Sequence, residues 1–135
     1  MRTALALSFA LFASAALAAP VTTPVLNTTT TLTGQTIAVP TNPEVRVVTV
    51  VFQPGDRLPV HKHPYPHYVY VLEGTLTITN VETGKVTQMP QGSFFAEMID
   101  TWHYGENKTA APIKLLVIDQ VPPGTKSNVI PKSGN

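Results

Sequence analysis

The chain has 135 residues, no cysteine and a formal net charge of +1. This length suffices for one domain, and the lack of cysteine excludes disulfides, thiolate metal sites and a cysteine nucleophile. The nine Lys and Arg residues are scattered along the chain, which argues against a nucleic-acid partner. A short chain without disulfides needs another source of stability, and a metal ion or a dimer interface would supply it.

The N-terminus has the three-part pattern of a secretory signal peptide. Arg2 gives a positive start, residues 4–16 are apolar and rich in Ala, and small residues precede a cleavage point after Ala18. The apolar run is shorter than the roughly 20 residues of a membrane span, and no later segment is long enough to span a bilayer. A buried N-terminal helix is the alternative. We expect residues 1–18 to be a signal peptide and the protein to be exported, to the periplasm or beyond.

Three segments are predicted after the signal peptide. Residues 19–44 are rich in Thr and Pro and are expected to form an extended arm, loosely ordered or laid on a partner subunit. Residues 45–121 form the folded domain. Residues 122–135, which contain several Pro and Gly residues, are expected to be a loose C-terminal tail.

Residues 45–121 carry short runs rich in Val, Ile, Thr, Phe and Tyr, separated by Gly, Pro and Asn. This pattern predicts an all-β sandwich or barrel, and the segment shows no sustained helical period. Residues 75–79 alternate as a half-buried strand does, whereas 115–118 are apolar on both faces. The predicted strands are 46–53, 59–63, 67–73, 75–81, 85–89, 93–97, 102–106 and 113–121.

The four histidines lie within this domain. His61 and His63 are two residues apart, so on a strand they point to the same face. His67 keeps that face if the strand continues, although the intervening prolines fit poorly inside a central strand. Imidazole is a common ligand of transition metals. Together with His103, these residues predict a site for one divalent transition metal ion, and Fe, Mn, Cu, Ni and Zn all stay open.

The spacing around the first three histidines resembles the cupin family. The segment from Gly55 to Gly74 follows the first cupin motif, G-x5-H-x-H-x3-E-x6-G, with His67 in place of the glutamate. The resemblance implies a jelly-roll β-barrel, also called a double-stranded β-helix, over about residues 45–121. It also implies a small-molecule substrate or ligand and a homodimer, in which the arm could exchange between subunits.

The second cupin motif, G-x5-P-x-G-x2-H-x3-N, fits from Gly92 through His103 to Asn107. Met98 and Asp100 replace its Pro and Gly, so the turn before His103 is expected to differ in shape. The resemblance implies that His61, His63 and His103 are metal ligands. His67 is implied as the fourth, since some small cupins carry a histidine in place of the glutamate.

Four neutral ligands would leave the full +2 charge of the metal in place. Such a centre is a strong Lewis acid and favours an anionic substrate, an enolate or reduced oxygen. Four protein ligands on an octahedral ion leave two positions open, as catalysis requires.

Glu97 is the candidate catalytic base. It lies on the strand before His103, between apolar neighbours, and burial would raise its pKa and suit it to proton transfer. The alternatives are a surface glutamate or a partner that orients a histidine. Alternate members of an aromatic set are expected to line the cavity: Tyr65, Tyr68, Tyr70, Phe95, Trp102 and Tyr104.

Three functions are compatible with these residues. The first is a metal-dependent dioxygenase-like oxidoreductase that acts on a small enolisable or phenolic substrate. The second is a non-catalytic metal- or ligand-binding protein of the cell envelope. The third is a metal-dependent isomerase, lyase or sugar-binding cupin, which needs no oxygen.

Overall fold

The computed structural model describes residues 19–134. The predicted signal peptide lies outside the described residues. Within them the regular structure consists of strands: β1 (Glu44–Phe52), β2 (His61–Lys62), β3 (His67–Glu73), β4 (Thr75–Asn80), β5 (Val86–Pro90), β6 (Phe94–Ala96), β7 (His103–Glu106), β8 (Ile113–Val121) and β9 (Ile130–Pro131). Across residues 19–134 no helix has the length and apolar character needed to cross a bilayer.

The strands form two antiparallel sheets that pack face to face as a jelly-roll barrel. One sheet has the order β1-β8-β3-β6 and the other β5-β4-β7-β2-β9. Alternate residues of each strand point inward and fill the core between the sheets. The buried cluster comprises Phe52, Val69, Val71, Leu76, Ile78, Phe95, Met98, Ile113, Leu115 and Val117. The predicted all-β barrel is therefore confirmed.

Each of the eight predicted strands occurs, with bounds that differ from the prediction by at most two residues. The largest reduction is in the second strand, predicted over 59–63 and observed over two residues. The prolines on both sides of it lack the N–H that a ladder needs. His63, just after β2, forms a single parallel bridge with Ile99 in the loop before His103.

The C-terminal segment departs from the expected loose tail. In β9, Pro131 lies opposite His61 and Ile130 opposite Lys62, and Asn128 is only 3% exposed. The expectation is therefore wrong for this segment. A two-residue strand that contains proline has no alternation by which it could be recognised.

Part of the N-terminal arm lies on its own barrel. Leu32 donates its backbone N–H to the carbonyl of Ala96 at 3.0 Å. The Gln35 side chain donates to the Ile99 carbonyl at 2.7 Å and accepts from the Ile99 N–H at 3.0 Å. These bonds fasten residues 31–37 beside the loop that leads to His103, whereas residues 19–30 are exposed.

The turn before His103 keeps a glycine-like backbone without glycine. Asp100 has a φ of +49°, in the left-handed region that Asp tolerates better than most residues. Its N–H donates to the His63 carbonyl at 2.8 Å, and its carboxylate pairs with Lys62 at 3.0 Å. The substitution in the second motif is thus accommodated, and His103 stays directed inward.

Candidate metal centre

Three histidines converge inside the barrel. Strand pairing places His61 directly opposite His103, and His63 lies on the same face two residues after His61. The ring centroids are 4.6 Å apart for His61 and His103, and 4.9 Å apart for His61 and His63. All three side chains are buried. The structure therefore brings these predicted ligands together.

Glu97 completes this group. It follows β6 directly, points inward and is 7% exposed. Its Oε2 atom lies 3.1 Å from Nε2 of both His63 and His103. One ligand atom each from His61, His63, Glu97 and His103 lies within 4.8 Å of all the others. Ligands about 2.0–2.2 Å from a first-row ion would be similarly close to one another.

In each clustered histidine, the hydrogen bond of the outer ring nitrogen, Nδ1, determines which tautomer the ring adopts. The Nδ1 atom of each clustered histidine contacts a backbone carbonyl, which can only accept, so Nδ1 carries the hydrogen. A neutral ring then presents its Nε2 lone pair inward, as metal-ligating histidines do. The three contacts are His61 with Pro59 at 2.8 Å, His63 with Asn128 at 2.8 Å and His103 with Thr101 at 2.7 Å.

The inner atoms of the cluster are therefore all acceptors. Two neutral Nε2 atoms and a carboxylate oxygen at 3.1 Å repel one another unless a proton or a cation lies among them. Without metal, a proton held between His103 and Glu97 would fill this role, as an imidazolium–carboxylate pair. A divalent cation would satisfy the same acceptors. The donor set therefore fits a divalent metal ion.

The pKa directions agree with this picture. Burial raises the pKa of Glu97, but hydrogen bonds with His103 and His63 outweigh it and hold that pKa well below its usual value. Burial lowers the pKa of His103, yet the contact with Glu97 raises it overall. The predicted raised pKa of Glu97 is thus wrong in direction, because the nearby histidines stabilise the carboxylate.

His61 behaves differently, because its ring is buried without a carboxylate partner. Its pKa is lowered to about 4, mainly by burial and also by the neighbouring His63 and His103, which together outweigh the raising effects of the Pro59 carbonyl and Glu97. His61 is therefore neutral at pH 7 and ready to ligate.

His67 lies beside the cluster and not within it. Its ring stacks on that of His63 with centroids 3.9 Å apart, and its Nε2 is 3.8 Å from Oε2 of Glu97. Its Nδ1 donates to Oδ1 of Asp119 at 2.7 Å. Burial raises the pKa of Asp119, but hydrogen bonds with His67 and Asn128 lower it overall. Asp119 therefore stays ionised, and sequence reasoning did not single it out.

A cavity of about 350 Å³ leads to these groups. Its polar lining comes from His61, His63, His67, Glu97 and Asp119, and the rest is mainly aliphatic: Val48, Val50, Leu58, Val69, Leu76, Leu115, Val117 and Val129. The polar atoms are gathered at one side, so a ligand would meet apolar walls elsewhere.

The expectation of aromatic walls is wrong. Among the described residues that line the cavity, Phe52 is the aromatic one. Tyr68 instead stacks on Phe94, the Arg57 guanidinium lies over Tyr104 at 3.6 Å, and Lys62 lies over Trp102 at 5.2 Å. In short strands, the positions of aromatic residues along the sequence do not reveal which face of the strand lines the cavity.

Fold and donor set define a single-domain β-barrel with a histidine–glutamate cluster suited to a metal ion. A family model described as a cupin domain matches residues 48–119, which is more than half of the chain. The chain therefore belongs to the cupin family, as its two motifs predicted. A search of curated proteins gave no significant match.

Solved structures agree on the fold. The polyketide cyclase RemF from Streptomyces resistomycificus is 18% identical, with a TM-score of 0.57 and 67% of this chain covered. A cupin-superfamily sugar phosphate isomerase from Silicibacter pomeroyi is 28% identical, with a TM-score of 0.52 and 58% covered. Oxalate decarboxylase from Lactobacillus farciminis is 21% identical, with a TM-score of 0.54 and 64% covered. The matches span 62%, 52% and 26% of those chains, respectively.

Proposed function

We propose that this chain is an exported, metal-dependent enzyme of the oxygenase type that acts on a small enolisable or phenolic substrate. The observation that carries the proposal is the buried cluster of acceptors, which a divalent cation would satisfy. A bound ion would supply Lewis-acid chemistry and, if redox-active, one-electron chemistry with oxygen. Fe, Mn, Cu, Ni and Zn are all compatible with imidazole and carboxylate donors.

Glu97 and His67 would exchange the roles predicted from the sequence, with Glu97 as the fourth ligand and His67 as the general base. Glu97 has the carboxylate and the 3.1 Å contacts of a fourth ligand, whereas His67 is turned toward Asp119. A ligand set of three histidines and one glutamate leaves a net charge near +1, less than the +2 of four neutral ligands. The centre would therefore hold an anionic substrate less strongly than a four-histidine site.

His67, held by Asp119, would accept the proton that the substrate loses. Asp119 holds the His67 ring with its Nδ1–H outward, so Nε2 presents a lone pair toward the cavity, where it can accept a proton. A substrate whose acidic C–H or O–H approaches Nε2 would transfer its proton there. The aliphatic walls would hold the rest of the substrate and exclude water.

Oxygen uptake tests this function. The purified protein is loaded anaerobically with Fe(II), Mn(II), Cu(II) or Ni(II), and oxygen consumption is followed with diketones, flavonols and catechols. We expect uptake that depends on both metal and substrate and that is lost in His103→Ala. Absence of metal-dependent uptake across the panel would contradict the oxygenase proposal.

An isomerase or lyase is the second candidate, and the His67–Asp119 pair favours it because proton transfer alone suffices for such reactions. Turnover of an enolisable substrate under strict exclusion of oxygen would identify it.

A third outcome is a non-catalytic metal-binding protein. X-ray absorption would then show that protein atoms occupy every coordination position of the metal.

Dimerisation and export are part of the same proposal. The edge strand β1 exposes Val45, Val47 and Val51 by more than half of their surface, and a second subunit could cover them. Light scattering is expected to give twice the monomer mass.

Export is tested by sequencing the N-terminus of protein recovered outside the cytoplasm. The sequence is expected to begin at Ala19, and a chain that still begins at Met1 would contradict export.

A further inference from the structure

Asn128 is buried within a segment that is otherwise exposed. Its side chain is 3% exposed, whereas Val129 and Ile130 are 46% and 40% exposed. Burial of an amide costs free energy unless its hydrogen bonds are made, and here they are. Oδ1 accepts from the Tyr65 N–H at 3.1 Å, and Nδ2 donates to the Tyr65 carbonyl at 3.3 Å and to Asp119 at 2.6 Å.

These bonds tie Asn128 to two histidines at once. Its backbone carbonyl accepts from Nδ1 of His63 at 2.8 Å, which sets the tautomer that directs Nε2 of His63 inward. Its Nδ2 and the Nδ1 of His67 both donate to Oδ1 of Asp119. Asn128 therefore holds one histidine directly and the other through Asp119.

We propose that Asn128 is a positioning residue of the metal centre and that residues 128–131 form one wall of it. Asn128 lies beyond residues 48–119, the part of the chain that matches the family model, so neither cupin motif contains it. Outer partners of metal-bound histidines determine ring orientation and affinity. Val129 and Pro131 of the same segment line the cavity. The segment that positions the metal ligands would therefore also shape the substrate pocket. The inference rests on the proposed metal site.

Cobalt binding tests the proposal. Asn128→Ala removes the amide that fastens the segment, and Co²⁺ affinity is expected to fall about 10- to 100-fold, with a changed d–d absorption spectrum. Ser127→Ala is the matched control, because the Ser127 hydroxyl hydrogen-bonds with the backbone of Val129 and not with Asn128, Asp119 or a histidine. Its affinity and spectrum are expected to equal those of the wild type.

A measurement on the wild-type chain covers the case in which Asn128→Ala does not fold. ¹⁵N spectra of the Zn²⁺-loaded protein are expected to show His63 protonated at Nδ1, with coupling across the hydrogen bond to the Asn128 carbonyl carbon. Absence of that proton would overturn the inference, and so would wild-type affinity and spectrum in Asn128→Ala. A wild-type chain that binds no Co²⁺ near neutral pH would instead overturn the proposed metal centre itself.

Discussion

The three clustered histidines and the neighbouring His67 differ in the group that binds their outer ring nitrogen, Nδ1. In the central cluster, His61, His63 and His103 each donate to a neutral backbone carbonyl. His67, stacked on His63, donates to the carboxylate of Asp119. A carbonyl fixes the ring without adding charge, whereas a carboxylate fixes the ring and places a negative charge beside it. The first arrangement suits a ligand and the second suits a proton acceptor.

The largest effect is expected from removing a cluster histidine. His103→Ala should abolish stoichiometric metal binding and turnover, since loss of a ligand exceeds the ~10- to 100-fold effect of losing an outer partner. Equilibrium dialysis with Co²⁺ measures it, and circular dichroism checks that the variant folds. Retained stoichiometric binding would remove His103 from the ligand set.

The second largest effect is expected at His67. His67→Gln should change Co²⁺ affinity by less than about tenfold but lower turnover by about 10²- to 10⁴-fold, as is typical when a general base is lost. Steady-state kinetics and dialysis on the same preparation separate the two quantities. If metal affinity falls as far as in His103→Ala, His67 is a ligand, as the first motif suggested.

A smaller effect is expected at Glu97. Glu97→Gln should weaken Co²⁺ binding by about 10- to 100-fold, because an amide is a poorer donor to a hard cation than a carboxylate. In the metal-free protein it should also lower the pKa of His103, whose raising contact is lost. NMR titration of His103 checks this second effect, and an unchanged pKa would contradict the pairing.

A further effect is expected on the pH dependence of the free energy of unfolding of the metal-free protein, measured by urea unfolding with a chelator present. The pKa of His61 is about 4 when folded and about 6.5 when unfolded, so the free energy of unfolding should rise between these values. One proton gives at most about 1.4 kcal/mol per pH unit. The raised pKa of His103 has the opposite effect. Its contribution to the free energy of unfolding is fully present below pH 6.5 and is lost as the pH rises through the folded pKa.

Stability of the metal-free protein should therefore be greatest near pH 6.5. In His61→Asn, the free energy of unfolding is expected to change less with pH below pH 6.5. A free energy of unfolding that rises steadily from pH 6 to pH 9 would contradict the imidazolium–carboxylate pair.

The barrel and the converging histidines could be predicted from local patterns. Residues 75–79 alternate between polar and apolar side chains, and the HxH spacing places His61 and His63 on one face of a strand. Asp119 and Asn128 could not be predicted, since they meet His67 and His63 only through strand pairing and chain return over more than 50 residues. The fall in the pKa of Glu97 was missed for the same reason, because burial is visible in apolar neighbours but hydrogen-bond partners are not.

X-ray absorption on the Zn²⁺-loaded protein tests the central claim, that Glu97 and not His67 completes the metal centre. Multiple scattering counts imidazoles, and we expect three of them plus an oxygen donor, with an unchanged spectrum in His67→Gln and a changed one in Glu97→Gln. Four imidazoles in the wild type, with one lost in His67→Gln, would contradict the account.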